Sequence, residues 1–519
     1  MPTPSSMQTV TEIIDHHGSN SSDKPFLIIP ESNTMLSYGE LAGIAKQTAQ
    51  QLYTLGIKEG ASVGLMLDNG YWSTTLFLAS MYGGFVTLPL NAVAGPSQLA
   101  YVVEHSDVGV VFVNAKYHGK LRQAAADLDR PIRLIPTDEA SGPEWPIVAE
   151  RRGSGPVLPT VTATTDALML YTSGTTGTPK GAVLAHRSMV AGGSNTALAH
   201  ELSALDRALC VLPLYHINGQ IVTVMAPLVS GGSVVMPCRY QTGEFWKMVA
   251  DYRCTWFSVV PTIIKYLLDR AAEEPYQFGD DPCLQQLRFG RSASAPLPAS
   301  VHREFESIFN IPMIETMGLT ETAAPILSNP MPPGERKSGS PGIAIGNEVK
   351  VVDDQCRDVA TETVGELVVK GENVLTRYYK NEDASASAFT TDGWFRTGDL
   401  GYCDSDGYFF ITGRLKELII KGGENIAPRE IDDVLYRHPA VLEAAAVGVP
   451  DEVYGQDIVA CVCLRNGFQC SVDELLTLCE EQLGAFKSPS QIYFLDGLPK
   501  GPSGKIQRLQ LPELLRHKT

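Results

Sequence analysis

The sequence has no long hydrophobic run and no recognisable targeting signal. No apolar segment reaches the roughly 18 residues that predict a membrane span. The amino terminus, Met1 to Ser6, lacks the basic and then apolar pattern of a signal peptide, and the carboxyl terminus, Arg516 to Thr519, carries no address motif. We therefore expect a cytoplasmic protein with no membrane span.

Cysteine is sparse and scattered. No pair among the ten cysteines has the spacing of a zinc site, and Cys461 and Cys463 are only one residue apart. This distribution is typical of reduced thiols in a reducing compartment.

Positive charge is also scarce. The 41 Lys and Arg residues stand against 58 Asp and Glu, which gives a net charge of −17. Nucleic-acid-binding surfaces are basic, so the balance argues against nucleic acid as a partner. A nucleotide remains compatible, because it needs only a local positive site. With 519 residues, 44% of them hydrophobic and 19% charged, the chain is predicted to form at least two globular domains.

The most informative segment is a loop between two apolar runs, which begin at Leu168 and Ala182 and are predicted to be strands. The loop reads Tyr-Thr-Ser-Gly-Thr-Thr-Gly-Thr-Pro-Lys-Gly over residues 171–181. Glycines let backbone N–H groups approach phosphate oxygens, hydroxyl groups donate further hydrogen bonds, and Lys180 adds positive charge. A solvated turn would not need this composition. The loop is not a Walker A motif, because Lys180 follows Pro179 and no Gly-Lys-Ser/Thr ending is present.

Residues 171–181 resemble the phosphate-loop signature of the adenylate-forming enzymes, which include acyl- and aryl-CoA synthetases, carrier-protein adenylation domains and beetle luciferases. Five motifs in the family's order extend the resemblance from about Leu36 to Lys505. It implies ATP-binding roles for these loop residues: Thr172, Ser173, Gly174, Thr175, Thr176, Gly177 and Lys180.

The fold expected from the sequence is α/β. Alternating predicted helices and strands up to Leu90 favour parallel pairing, and Ser37 followed by Glu40 predicts a capped helix. Further along, residues 444–449 and 458–464 are predicted strands, and Ser471 followed by Glu474 predicts another capped helix. The resemblance implies a large multi-subdomain amino-terminal domain, residues 1–415, which binds ATP and the acyl group. It also implies a small mobile α+β lid domain, residues 416–519, with its hinge at Lys416.

Several short motifs resemble the family's nucleotide site. Small residues after a predicted strand let a flat ring approach the backbone, and the resemblance implies an adenine wall there. Met317 stands where the family usually has an aromatic residue, and its thioether is expected to cover the ring. The implied adenine-site residues are Ser294, Ala295, Pro296, Thr316, Met317 and Gly318.

The resemblance also assigns the remaining nucleotide contacts. Asp399 is expected to accept both ribose hydroxyls, since one carboxylate can accept two O–H bonds, and Arg414 to reach the nucleotide. Thr320 is expected near the α-phosphate. Glu321 and Thr176 are the implied oxygen ligands of Mg²⁺, a hard cation.

The acyl pocket is expected around His216. Members that activate amino acids usually carry an aspartate in this region, so His216 argues against an α-amino acid substrate. Polar residues suggest a small acid that is polar or aromatic rather than a long fatty acid, although Asn218 and Gln220 could instead bond to backbone. The implied lining residues are His216, Asn218, Gln220, Pro261, Arg291 and Ser292.

The implied function is an ATP-dependent acid–thiol ligase that forms acyl-AMP, releases pyrophosphate and transfers the acyl group to CoA. Lys505 is expected to contact the carboxylate and the α-phosphate, and Gly422, Gly423, Glu424 and Asn425 to form the CoA face after domain rotation. A stand-alone adenylation enzyme that loads a separate carrier protein is the alternative. An oxygenase is less favoured, and a non-catalytic relative would be expected to have lost Glu321, Asp399 or Lys505. Monomer and homodimer both remain open.

Overall fold

The computed structural model describes residues 7–147, 156–172, 178–273, 284–465, 467–501 and 506–516. The described residues form three sheets in the amino-terminal region and a fourth in the carboxyl-terminal region.

The first part of the chain alternates helices and strands as predicted. Helix α2 begins after Ser37, whose side chain and that of Glu40 cap it reciprocally. Strands β3 and β4 pair in parallel. The elements are α1 (Val10–Asn20), β1 (Pro25–Ile29), β2 (Thr34–Ser37), α2 (Tyr38–Thr54), β3 (Ser62–Met66), α3 (Tyr71–Tyr82), β4 (Val86–Pro89), α4 (Pro96–His105), β5 (Val110–Val113), α5 (Ala115–Ala124), β6 (Arg133–Asp138) and β7 (Gly142–Pro143).

The middle of the chain includes a π-helix at Asn218–Met225, a rare form that often marks functional sites. Single 3₁₀ turns occur at Thr242–Glu244 and Thr320–Thr322. The elements are β8 (Asp166–Thr172), β9 (Lys180–Ala185), α6 (His186–Ala199), β10 (Arg207–Cys210), α7 (Ala226–Ser230), β11 (Ser233–Val235), α8 (Phe245–Asp251), β12 (Trp256–Val259), α9 (Pro261–Glu273), β13 (Phe289–Ser292), α10 (Ala299–Phe309), β14 (Met313–Leu319) and β15 (Ala324–Ser328).

The last part holds two smaller sheets. A 3₁₀ turn at Leu415–Glu417 connects them, and a second one at Arg508–Gln510 precedes the final helix. The elements are β16 (Ile343–Ala344), β17 (Glu348–Val352), β18 (Gly365–Lys370), β19 (Arg377–Tyr378), α11 (Glu382–Ser387), β20 (Phe395–Cys403), β21 (Phe409–Arg414), β22 (Ile419–Lys421), β23 (Glu424–Ile426), α12 (Pro428–Leu435), β24 (Val441–Asp451), β25 (Gly455–Leu464), α13 (Val472–Lys487), β26 (Gln491–Phe494) and α14 (Leu511–Arg516).

Two large sheets enclose a shared layer of helices. One has the strand order β19-β9-β8-β4-β3-β5-β6-β7, and the other β16-β15-β14-β13-β12-β10-β11-β1-β2. Helix α3 has ten buried residues out of twelve, as expected of a helix that is apolar on all sides. One hydrophobic core joins α3 to residues of both sheets, such as Leu168 and Trp256.

The second sheet positions most of the candidate site. Its strands β10, β12, β13 and β14 are parallel neighbours. In open α/β sheets, ligands bind beyond the carboxyl ends of parallel strands. Pro261 follows β12, Ser294 follows β13, and Thr320 follows β14, so residues far apart in sequence converge at one edge.

The carboxyl-terminal region is built on the long hairpin β24–β25, with β26 parallel to β25. Its helix α12 faces the third sheet, whose order is β17-β18-β20-β21. Arg429 of α12 donates a hydrogen bond of 2.7 Å to the backbone carbonyl of Ile411 in β21. The predicted strands at 444–449 and 458–464 and the helix capped by Ser471 are all present.

Candidate active site

A cleft of about 460 Å³ lies between the carboxyl ends of the second sheet, strands β20–β21 and the carboxyl-terminal region. Residues almost 250 positions apart in the sequence, from Pro261 to Arg508, line it together. The predicted site residues among them are Pro261, Ser294, Ala295, Pro296, Thr316, Met317, Gly318, Asp399 and Arg414.

Asp399 and Arg414 form an ion pair on the floor of this cleft. They stand opposite each other on β20 and β21, and Arg414 Nε lies 2.9 Å from Asp399 Oδ1. The Asp399 carboxylate raises the pKa of Arg414 above its usual value. The second oxygen, Oδ2, is buried and has no hydrogen-bond partner among the described residues. An unsatisfied buried acceptor suits a ligand hydroxyl.

The predicted adenine wall has a strained backbone. Ser294 has a φ of +72°, a conformation that non-glycine residues rarely adopt, and such strain concentrates at functional sites. Gly318 lies so close to β15 that an added Cβ would be 2.0 Å from the carbonyl oxygen of Ala324, so this position requires glycine. The adjoining Met317 is partly exposed and lines the cleft.

Glu321 lies in a cluster on the phosphate-loop side. Its Oε1 accepts hydrogen bonds from the Thr172 hydroxyl at 3.3 Å and the Tyr378 hydroxyl at 3.1 Å. Oε2 accepts none from the described residues, so it remains available for a cation. Lys180 Nζ lies 5.2 Å from the centre of the Tyr378 ring. Burial and the neighbouring Glu321 carboxylate raise the pKa of Tyr378, so its hydroxyl keeps its proton and donates a hydrogen bond to Glu321.

The phosphate loop bridges β8 and β9, which pair antiparallel with Thr172 opposite Lys180. Both flanking strands are present as predicted. The loop residues Ser173, Gly174, Thr175, Thr176 and Gly177, and the candidate Lys505, lie outside the described residues.

The predicted acyl pocket centres on a hydrogen-bonded group of buried side chains. Arg291 Nη1 donates hydrogen bonds of 3.1 Å to both Asn218 Oδ1 and Ser258 Oγ, and Ser258 also donates to Asn218 Oδ1. Asn218 Nδ2 in turn donates to Ser294 Oγ at 3.2 Å. The acyl-pocket residues are therefore connected directly to the adenine wall.

His216 and Gln220 flank the start of the π-helix. The Gln220 side chain donates to the backbone carbonyl of Leu214 at 2.5 Å, so here the backbone-bonding alternative holds. Asn69, which sequence analysis missed, bonds to the backbone of Leu212 and Leu214 and holds the segment before His216. Ser292 is fully buried at the end of β13.

The predicted hinge and CoA face lie elsewhere. Lys416 is exposed in the 3₁₀ turn that leaves β21. Gly422 and Gly423, with φ of +57° and +84°, form the tight turn of the β22–β23 hairpin. This turn and the following Glu424 and Asn425 are exposed and do not line the cleft, so the residues predicted for CoA and those predicted for the nucleotide lie apart in this conformation.

Glu315 is a buried carboxyl group on β14 that sequence analysis missed. Its Oε1 accepts from the Leu297 backbone N–H at 3.1 Å, while Oε2 has no partner among the described residues. Burial raises its pKa to about 7. The hydrogen bond from Leu297 and the positive charges of Arg429 and His302 lower the pKa by smaller amounts. A single acidic residue in the sequence gave no local signal of this burial.

Replacing Glu315 by glutamine is expected to stabilise the protein selectively at higher pH. An unfolded glutamate ionises near pH 4.5, whereas the folded group holds its proton to about pH 7. The free energy of unfolding of the wild type therefore falls as pH rises through that interval, and glutamine removes the slope. Tm measured from pH 4.5 to 8 should show a variant advantage that grows up to about pH 7 and then levels off. A constant difference would contradict the assignment.

Comparisons with known proteins identify the family of this chain. The profile of the AMP-binding enzyme family matches residues 14–379, and that of the AMP-binding enzyme C-terminal domain matches residues 430–505. The chain belongs to the AMP-binding enzyme family, that is, to the adenylate-forming superfamily recognised from its motifs.

Individual relatives are CoA ligases. The chain is 48% identical over 510 residues to the sulfoacetate–CoA ligase of Cupriavidus necator, covering 98% of each. It is 33% identical over 482 residues to the oxalate–CoA ligase of Arabidopsis thaliana, covering 91% of this chain and 92% of that one. The structure of ATP-bound MatB from Rhodopseudomonas palustris matches with a TM-score of 0.85 and 28% identity, over 98% and 99% of the two chains.

These findings confirm the predicted class. The protein is an AMP-forming acid–CoA ligase, which takes a carboxylic acid, ATP and CoA as substrates. The predicted α/β architecture with a large amino-terminal and a small carboxyl-terminal domain is confirmed as well. Within the described residues, no helix combines the length and apolarity that a membrane crossing requires.

Proposed function

We propose that the cleft between residues 1–415 and 416–519 is the site of acid adenylation, with Asp399 and Arg414 on the ribose and Ser294 to Pro296 and Thr316 to Gly318 around adenine. The unsatisfied buried oxygen of Asp399 supports this most directly. It lies beside Arg414 in a cleft whose other lining residues include the small side chains expected near a base.

The adenylation step needs positioning and electrostatics more than proton transfer. A carboxylate is already ionised near neutral pH, so no general base is required. Lys505 is proposed to bridge the carboxylate and the α-phosphate, while Thr320 and the 172–180 loop bind phosphate oxygens. The leaving pyrophosphate is an anion, and Lys180 places positive charge beside it.

Mg²⁺ fits the Glu321 cluster. Among the described residues, no three acidic, histidine or cysteine side chains converge as a self-sufficient metal site. A magnesium ion bound by one carboxylate and substrate phosphates needs no such group. Glu321 Oε2, with Thr176, would hold the ion, which would neutralise phosphate charge when bound.

The second step requires the carboxyl-terminal domain to move. We propose a rotation about the exposed Lys416 that withdraws Lys505 and brings the Gly422–Asn425 hairpin to the cleft, beside His216, for CoA. The hairpin lies away from the cleft in the present conformation, which leaves the nucleotide side free for the first step.

The acid is proposed to be short and polar. Two relatives are named for sulfoacetate and oxalate, which are both two-carbon acids. The polar set Asn218, Ser258 and Arg291 is compatible with such a substrate and unsuited to a fatty chain.

The free thiols of the nine described cysteines fit the proposed cytoplasmic location.

Pyrophosphate release with ATP, Mg²⁺ and a panel of acids, with and without CoA, tests this function. We expect one short acid to give sustained turnover that depends on CoA, together with AMP rather than ADP. A single burst that CoA does not convert to turnover, but a pantetheinylated carrier does, would support the carrier-loading alternative instead.

A further inference from the structure

Arg291 is a buried cation that has no counter-anion among the described residues. Its side chain is 1% exposed, and its recorded hydrogen bonds go to two neutral groups, the Asn218 amide and the Ser258 hydroxyl. Nε is buried and has no partner among the described residues. No carboxylate of the described chain lies within ion-pair distance of this guanidinium, whereas nearby Arg288 pairs with Asp206 at 2.7 Å.

This arrangement is unfavourable for the free protein. Burying a guanidinium costs free energy unless an anion and a full set of hydrogen bonds compensate it. The desolvation is strong enough to lower the pKa of Arg291 to about 9. A leucine or methionine of similar volume would fill the same space without this cost, so packing alone does not account for the residue.

The hydrogen bonds of Arg291 place its charge close to the predicted nucleotide site. Asn218 accepts from Arg291 at 3.1 Å and donates to Ser294 at 3.2 Å. Ser294 belongs to the adenine wall, so a single asparagine side chain separates the guanidinium from the nucleotide site. An acid with its carboxylate at the nucleotide site would therefore need only a short chain to present a second group to Arg291.

We propose that Arg291 binds a second anionic group of the acid substrate, so that the enzyme selects short carboxylic acids with a carboxylate or sulfonate at the far end. This inference rests on the proposed adenylation site. The planar guanidinium donates paired hydrogen bonds that match such oxyanions, and Ser258 and Asn218 orient it. Binding of the substrate supplies the missing counter-anion.

The test compares acids that differ in the second anionic group. Turnover of sulfoacetate, oxalate, malonate and propionate is measured for the wild type, Arg291→Met, Arg291→Lys and the exposed-site control Arg303→Met. We expect the wild type to favour at least one of the dianionic acids over propionate. Arg291→Met should lower kcat/KM for that acid by about 100-fold or more, because the second anionic group of the bound acid is then buried without a partner. Propionate turnover of Arg291→Met should fall by a much smaller factor, and the Arg303→Met control should change little with any acid.

A second measurement does not depend on activity. Without ligand, Arg291→Met should unfold at the same or a higher temperature than the wild type, since a buried unpaired charge is removed. The preferred dianionic acid should raise the Tm of the wild type and not that of Arg291→Met. A lower Tm for the variant, with equal losses for propionate and the dianionic acids, would identify a structural residue and overturn the inference.

Failure of the inference and failure of the adenylation site are distinguishable. If the wild type forms CoA thioesters only from acids without a second anionic group, the ligase remains and the role of Arg291 is refuted. If no acid gives ATP- and CoA-dependent turnover and none of the dianionic acids raises Tm, both are refuted.

Discussion

Replacement of Lys505 by alanine is expected to abolish most adenylation while largely sparing thioester formation from a preformed acyl adenylate. In the proposed mechanism, this ammonium group offsets the repulsion between the carboxylate and the α-phosphate in the first step only. Removing one such charge-stabilising donor lowers kcat by about 10²–10³-fold in well-studied enzymes. Acid-dependent pyrophosphate release and CoA acylation from synthetic acyl adenylate measure the two steps separately.

Lys500→Ala provides the matched control. Lys500 lines the cleft and pairs with Glu443 of β24 at 2.5 Å, so its charge already has a partner within the carboxyl-terminal region. We expect a small effect on both steps. Equal losses in both steps for Lys505→Ala would contradict its assigned role, and a Lys500→Ala defect as large as that of Lys505→Ala would show that the effect is not specific.

Replacement of Glu321 by glutamine is expected to weaken Mg²⁺ binding, so that the Mg²⁺ concentration for half-maximal pyrophosphate release rises about 10- to 100-fold or more. The amide oxygen can still accept from Thr172 and Tyr378, so the local geometry is retained while the negative charge is lost. Replacing a residue that only orients a metal ligand already lowers metal affinity by about 10- to 100-fold. The Mg²⁺ concentration for half-maximal pyrophosphate release is the measured quantity.

Tyr378→Phe separates charge from orientation in the same cluster. It removes only the hydroxyl that donates to Glu321 at 3.1 Å, so its effect on the Mg²⁺ titration should be smaller than that of Glu321→Gln. If Glu321→Gln has a lower maximal rate but an unchanged Mg²⁺ titration, the metal ligand is a residue other than Glu321.

Local sequence signals predicted much of the fold. The capping residues Ser37 and Ser471 begin helices where expected, because a cap is a contact between near neighbours. Strands β8 and β9 flank the phosphate loop as predicted. The domain boundary at residue 416 remains a prediction. So do the roles of Ser173 to Gly177 and of Lys505, which lie outside the described residues.

The sequence by itself determined the enzyme class, because phosphate, ribose and hinge motifs are short, ordered and chemically specific. Only the tertiary structure decided which of their polar residues are paired. Arg291 and Arg288 are three positions apart, yet one is buried beside neutral groups and the other pairs with Asp206. Tyr378 reaches Glu321 across 57 residues. Burial and pairing of charge depend on long-range packing, which sequence spacing does not encode.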